Sequence, residues 1–412
     1  GAPAARGGPA APAAAPAAGF ATDDSAKIFG GTACKPATGS QITMGNVSTL
    51  SGVLGELFSP VVPALQTFVK AQNECGGLNG HPIRLIIGDD QGDPATAVSV
   101  ANRQIQSDKI TAFVGNIQVL TVDAMVSVVN RTKVPIVGGD LTNNTWFSNP
   151  LIFPQGPPPQ SISYAMVEGT KKKFGKTKLA SVYCAEVPQA CSQIDKAITE
   201  LAKAQGVTVV NNTRISITSP SYQSQCIALQ DAGAEVVALI FDAAAQVRFT
   251  NDCAKVNFKP QYMAYALGVG NEKQFLGNPS LGGTYVPLNV FGWMANESPA
   301  EKFWQASVKK FNPGFTSGNA ASLGWVAGAL AVAGSAKLGA APSSQQFVEG
   351  LQAIKGNDLG GLTAPLTFTA GKAPKIPYCS FFVSANKDNS RWEKPTSKAL
   401  CTTVRAPSDP NK

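Results

Sequence analysis

From residue 41 to about 266, short apolar runs alternate with amphipathic stretches in a regular cycle. Residues 41–47 read as a strand, and 59–73 as a helix opened by Ser59-Pro60 and closed by Gly76-Gly77. Residues 84–88 follow as a strand. Asp93-Pro94 then starts a helix reaching about residue 107, with proline in the first turn, where its fixed φ is already helical. A strand at 111–115, a helix at 120–130 and a strand at 134–138 complete this series. After Gly156-Pro-Pro-Pro the cycle resumes: helix 161–174, strand 179–183, helix 193–205, strand 208–213, helix 222–232, strand 236–241, helix 244–256 and strand 262–266. Two successive βα series with β-branched strands predict an α/β protein of two doubly wound, parallel-sheet lobes. Ligands of such sheets bind at the carboxyl ends of the strands, so the cleft between facing lobes is the expected site.

Composition narrows the function. The 412 residues are 44% apolar and 15% charged, which suits a large core rather than a disordered chain. No run of about 18 apolar residues occurs, and the longest candidate, 324–336, is Ala/Gly-rich, so no membrane-spanning helix is expected. The net charge of +8 is scattered, densest at Lys171-Lys172-Lys173 with Lys176 and Lys178. It lacks interleaved aromatics or a nucleic-acid motif, so it reads as a solvated face attracted to anionic surfaces. One histidine, His81, sits in the turn Asn79-Gly80-His81-Pro82, where a surface position is expected. Catalytic triads and multi-histidine zinc sites have no material to form.

Eight cysteines stand at 34, 75, 184, 191, 226, 253, 379 and 401, with no CxxC pair. An even number without metal spacing indicates disulfides and an oxidising compartment, although 105 pairings are open to it. The expected bridges join sequence neighbours: Cys34–Cys75, Cys184–Cys191, Cys226–Cys253 and Cys379–Cys401. Nineteen of the first 22 residues are Ala, Pro or Gly, a composition that buries no core and reads as a tether. The expectation is an exported protein, periplasmic or extracellular, with its signal removed and a spacer suited to a lipid anchor.

Three motifs lose to simpler readings. Gly169 to Thr177 resembles a phosphate-binding loop, but its spacing is one residue too long and it precedes a strand rather than following one. Asp89-Asp90-Gln91-Gly92-Asp93 resembles a calcium loop without the closing glutamate, and Asp93 is better read as a helix cap. Gly268-Val-Gly270 lacks the third glycine of a dinucleotide fingerprint.

Gly76-Gly77-Leu78-Asn79-Gly80-His81-Pro82-Ile83, then Asp89 to Pro94, then Phe113-Val114-Gly115, resemble the amino-terminal lobe of the type I periplasmic binding proteins, in the Leu/Ile/Val-binding branch that serves ABC importers. Val134 to Val137 with Thr142-Asn143, 232–237 and 262–270 resemble later parts of that family, so the likeness spans about residues 41–390. It implies two lobes joined by three crossovers. Residues 1–40 would be tether and lead-in, 41–157 with about 286–365 the first lobe, 158–285 with about 366–405 the second, and 406–412 a tail. The resemblance implies a monomeric binding protein that closes on a small molecule and presents it to a membrane permease, without enzymatic activity, cofactor, metal or nucleic acid.

The ligand is where this chain departs from the family. Family members that bind amino acids hold the ligand carboxylate with a serine after the third strand and a nearby Ala-Thr turn. Here the first loop reads Asn116-Ile117-Gln118-Val119, with Val119 at the serine position, and the second reads Gly139-Asp140-Leu141-Thr142, keeping only the threonine. The second-lobe carboxylate that would hold the ligand ammonium falls on Leu267. A buried ammonium without a charged partner is costly, so a free α-amino acid is not the expected ligand, although Asp140 or Asp242 could supply a carboxylate from elsewhere. Asn116, Gln118, Asp140 and Thr142 would orient the ligand, while Asp242, Ala266 and Leu267 would close over it. Leu54, Ile117, Val119, Leu141, Gln155, Val187-Pro188 and Ala243 would complete a roomy, mostly apolar lining for an apolar or aromatic molecule. The alternatives are a ligand-sensing receptor ectodomain and a conventional branched-chain amino-acid binder.

Overall fold

The computed structural model describes residues 34, 36–52, 55–393, 395–396 and 398–409. The first series runs β1 (Ile42–Ser48), α1 (Gly55–Phe58), α2 (Val61–Glu74), β2 (Ile83–Asp89), α3 (Pro94–Gln106), β3 (Ala112–Asn116), α4 (Val122–Thr132), β4 (Ile136–Gly139) and β5 (Ile152–Phe153). Its five strands form one parallel sheet in the order β2-β1-β3-β4-β5. The second series runs α5 (Pro159–Lys172), β6 (Lys178–Cys184), α6 (Pro188–Gln205), β7 (Thr208–Ile215), α7 (Gln223–Asp231), β8 (Val236–Ile240), α8 (Ala243–Lys255), β9 (Gln261–Ala264), α9 (Glu272–Phe275) and β10 (Tyr285–Leu288). The chain then passes through α10 (Pro299–Phe311), α11 (Asn319–Gly334) and α12 (Ser344–Gln352) before β11 (Tyr378–Ser384) and β12 (Leu400–Thr402). The second sheet has seven strands in the order β12-β11-β10-β9-β8-β6-β7.

In both sheets the strand that begins the series lies inside it, the doubly wound arrangement that opens a crevice at the carboxyl ends. Strands β11 and β12 pair antiparallel, which the βα cycle does not announce because the cycle ends before them. The second sheet holds the chain through Leu288, a little beyond the boundary expected near 286. Among the described residues no helix is long and apolar enough to cross a membrane.

Local chemistry explains the elements. Asp93 caps α3, its Oδ1 accepting the Thr96 N–H at 2.7 Å, with Pro94 at the first helical position. The neighbouring Asp90 is equally occupied: it accepts hydrogen bonds from Thr49 Oγ1, Thr121 Oγ1 and the Gly92 N–H, which ties three loops together. Helix α11 is buried almost all round and packs on α2, β3 and β4. Gly138 makes this approach possible at the end of β4, because its φ is +73° and a Cβ there would stand 2.4 Å from the Ala327 Cβ.

His81 corrects the sequence reading. It is only 5% exposed, and its ring bridges two segments: Nδ1 meets the Ser40 carbonyl at 2.7 Å and Nε2 the Gly339 carbonyl at 3.1 Å. The Asn-Gly turn folds the imidazole inward rather than into solvent. Disulfides join Cys34 to Cys75, Cys184 to Cys191, Cys226 to Cys253 and Cys379 to Cys401. Three crossovers link the two sheets and are tied to one another. Asn289 Nδ2 donates to Pro157 O (3.1 Å), the Phe291 N–H to Leu362 O (2.9 Å) and Thr363 Oγ1 to Gln155 O.

Candidate functional site

The carboxyl ends of the second sheet's strands carry the wall of an apolar cavity. Cys184 ends β6, Ile217 follows β7, Ile240 ends β8 with Phe241 just after it, and Tyr265 follows β9. The loop after β6 and the first turns of α6 add Val187, Ala190, Cys191 and Ile194, and Asp242 caps α8. From the first lobe come Leu57 and Phe58 of α1 and Val119 of the loop after β3. The space, including its mouth, is about 490 Å³. It lies between the two lobes, where parallel strands direct their loops.

The Cys184–Cys191 bridge clamps the loop that supplies four of these side chains. Glu186, inside that loop, accepts the Ile217 N–H (3.1 Å) and the Ser216 hydroxyl (2.6 Å), so the loop and the segment after β7 form one rigid wall. Asp242 is the one carboxylate of the lining. Its Oδ1 accepts the Ala245 N–H at 3.0 Å, capping α8, whereas its buried Oδ2 has no partner. Burial raises its pKa, opposed by the Ala245 N–H and the positive charge of Arg248. Tyr265 is buried, and burial together with the nearby Asp140 carboxylate raises its pKa strongly.

The polar residues expected to orient a ligand are occupied inside the first lobe. Asn116 Oδ1 accepts the Val47 N–H (3.2 Å) and its Nδ2 donates to Gln118 Oε1 (3.0 Å). Gln155 holds both backbone groups of Gly139, accepting its N–H at 2.9 Å and donating to its carbonyl at 2.7 Å, and it also donates to Leu323 O. It is a hinge and strand-end brace. Asp140 accepts four hydrogen bonds, from the Gln118 N–H (2.7 Å), the Thr142 N–H (3.0 Å), the Thr142 hydroxyl and Trp146 Nε1 (3.0 Å). Burial raises its pKa while those donors oppose the rise. Thr142 is thus spent on Asp140, and Leu141 between them takes a left-handed φ of 59° with its side chain buried. Gln118 keeps one free group, its buried Nε2.

The remaining expected positions divide. Val119 and Asp242 line the cavity. Ile117, Ala243 and Ala266 are buried beside its rim without lining it, and Leu267 lies in the turn Ala266–Val269. Of the expected pair Val187-Pro188, Val187 lines the cavity, whereas Pro188 is exposed at the first position of α6. Leu54 lies outside the described residues. Sequence reasoning passed over Leu57, Phe58, Ile194, Ile217 and Tyr265. The signal for Ile217 and Tyr265 was their position just after a strand end, for Leu57 and Phe58 the short apolar pair before Ser59, and for Ile194 the apolar spacing of α6.

A two-lobed α/β architecture with an apolar cleft and a tied three-strand hinge defines a small-molecule binding protein. The chain matches the periplasmic binding protein family model over residues 41–390. It belongs to that family, as a type I periplasmic binding protein. A stretch of 76 residues is 36% identical to "Leu/Ile/Val-binding protein homolog 3" of Brucella melitensis, covering 18% of this chain and 20% of that protein. Another of 44 residues is 48% identical to "Amino acid binding protein" of Pseudomonas aeruginosa, covering 11% of this chain and 12% of that protein. Among solved structures, the fold is shared with a branched-chain amino acid ABC transporter protein of Thermus thermophilus with bound valine, at a TM-score of 0.75 and 14% identity over 89% of this chain and 98% of that one. It is shared too with an R. palustris ABC transporter solute-binding protein in complex with benzoate, at a TM-score of 0.69 and 19% identity over 88% and 98%.

Proposed function

We propose that this protein captures an apolar or aromatic organic molecule, not a free α-amino acid, in the cleft between its lobes and delivers it to an ABC permease. The lining supports this reading most directly: among the described residues, eleven of the thirteen side chains around the cavity are aliphatic, aromatic or disulfide groups, leaving Asp242 and the Tyr265 hydroxyl as polar elements. An α-amino acid carries two charges that both need partners, and an uncompensated buried charge is expensive. Among the described residues no Lys or Arg lines the cavity to meet a ligand carboxylate. Of the first-lobe groups that could have served, Asp140, Asn116 and Gln155 are engaged within the lobe, and Gln118 keeps only its uncharged Nε2.

Binding would proceed by hinge closure. A ligand touching Leu57, Phe58 and Val119 on one side and Val187, Ile194 and Phe241 on the other favours the closed state by its differential affinity for it. A thermal-shift panel on ligand-stripped protein tests the reading, setting branched-chain and polar amino acids beside aromatic, fatty and polycyclic compounds. A true ligand at about a thousand times its Kd adds about 4 kcal/mol of stability. Leucine or valine giving the largest shift would return the protein to conventional branched-chain amino-acid binding. The largest shift from an apolar non-amino acid supports the proposal.

A further inference from the structure

We infer that Asp242 makes the cleft select ligands that donate a hydrogen bond, alcohols and amines, over carboxylates built on the same apolar body. The inference rests on the apolar-ligand reading above and sharpens it to a functional group.

The two oxygens of Asp242 have different fates. Oδ1 is committed to the N-terminus of α8 through the Ala245 N–H. Oδ2 is buried with no hydrogen-bond partner among the described residues, on a side chain that lines the cavity together with Ile217, Ile240 and Phe241. A buried acceptor without a donor is a standing penalty that a ligand O–H or N–H removes on binding. A ligand carboxylate has no proton to offer and brings a second negative charge against the first. Relief from a cation is weak here. Arg248, the basic group that acts on Asp242, directs its guanidinium to the Ile217 carbonyl, and it is not among the cavity's lining residues. The polar amide one turn on in α8, Gln246, donates to the Phe241 carbonyl at 2.7 Å and leaves only its Oε1 acceptor unpaired. An acceptor adds nothing for a carboxylate. The local polarity therefore asks for a donor.

The geometry also supplies a clean perturbation. Asn and Ser cap helices nearly as well as Asp, so Asp242→Asn and Asp242→Ser keep the bond to Ala245 while replacing or deleting the unpaired oxygen.

The test uses the full chain, stripped of ligand, at pH 8. Calorimetric titrations compare triplets of compounds that share one apolar body (benzyl, naphthylmethyl, octyl and cyclohexylmethyl) and differ in bearing a hydroxyl, a primary amine or a carboxylate. The expected result is that the best-binding body prefers its alcohol or amine over its carboxylate by at least tenfold. In D242N, which offers an N–H where Oδ2 stood, that ratio falls at least tenfold, and D242S gives an intermediate value; thermal melts confirm both variants are folded. A carboxylate that binds wild type as tightly as its alcohol and amine overturns the inference and leaves the apolar-ligand reading standing. A ratio unchanged in both variants does the same. Failure of every triplet, with leucine or valine binding instead, overturns the apolar-ligand reading and this inference with it.

Discussion

Replacing Asp140 by asparagine should cost about 1–3 kcal/mol of stability and leave the choice of ligand unchanged. Four donors converge on its two oxygens: the Gln118 and Thr142 backbone N–H groups, the Thr142 hydroxyl and the Trp146 indole. Asparagine retains one acceptor. Its best orientation keeps the oxygen toward Thr142 and Trp146 and turns an NH₂ group against the Gln118 N–H, so one buried donor loses its partner. A hydrogen bond to a charged group contributes about 1.5–3 kcal/mol, and a buried unsatisfied donor costs about 1–3. Part of this is offset because a neutral amide is cheaper to bury than a carboxylate, the same burial that raises the pKa of Asp140. Denaturant unfolding at pH 7 reads the loss as a lower midpoint with unchanged slope. Ligand preference, measured on the folded variant, should match wild type. A variant as stable as wild type that no longer binds its ligand would refute the reasoning, because Asp140 would then be meeting the ligand rather than bracing the loops beneath it.

Ala190 is buried in the cavity wall, so Ala190→Phe should place a ring in the ligand's space, weakening binding at least tenfold by calorimetry while costing about 1–3 kcal/mol through overpacking. Cys184→Ser with Cys191→Ser opens a short loop, with an expected stability loss of about 2–3 kcal/mol from chain entropy and a weaker ligand because the wall loses its clamp. Binding in the double variant indistinguishable from wild type would show that the clamp does not shape the cavity. The Glu235 carboxylate is held below its ordinary value of 4.5 by the Thr177 and Lys178 N–H groups. A depressed carboxylate stabilises the fold above its unfolded pKa and loses that contribution as pH falls through the folded one. A melting-temperature profile from pH 7 down to 2 should therefore decline less steeply at its acid end in Glu235→Gln.

The fold was largely legible because its units carry local signals. Asp93-Pro94 marks the start of α3 within its own four residues, and buried β-branched runs such as 236–240 give β8 directly. What stayed hidden depended on packing across distant segments. The imidazole of His81 turns inward because Ser40 and Gly339 offer carbonyls, and neither is near it in sequence. Helix α6 begins at Pro188, a turn before the apolar spacing shows it, because proline opens it inside a disulfide-bridged loop. Strands β11 and β12 return antiparallel through cross-strand neighbours, Cys379 and Cys401, that no βα period encodes.

The site was legible to within a loop but not to within a side chain. Strand ends located the cleft, and Val119 and Asp242 do face it. The amides of Asn116 and Gln155 looked available in sequence, yet backbone groups at the ends of β1 and β4 claim them first. Buried peptide groups need partners, and side-chain amides nearby are the means of supplying them. Of the pair Val187-Pro188, which residue faces the cavity is set by how a loop turns, and that differs between adjacent residues.

The most direct test of the central claim is calorimetric titration of the ligand-stripped protein with leucine and with the strongest apolar compound from the thermal-shift panel, side by side. The account predicts heat and a saturable isotherm for the apolar compound and none for leucine. Saturable binding of leucine at the tighter affinity would contradict it.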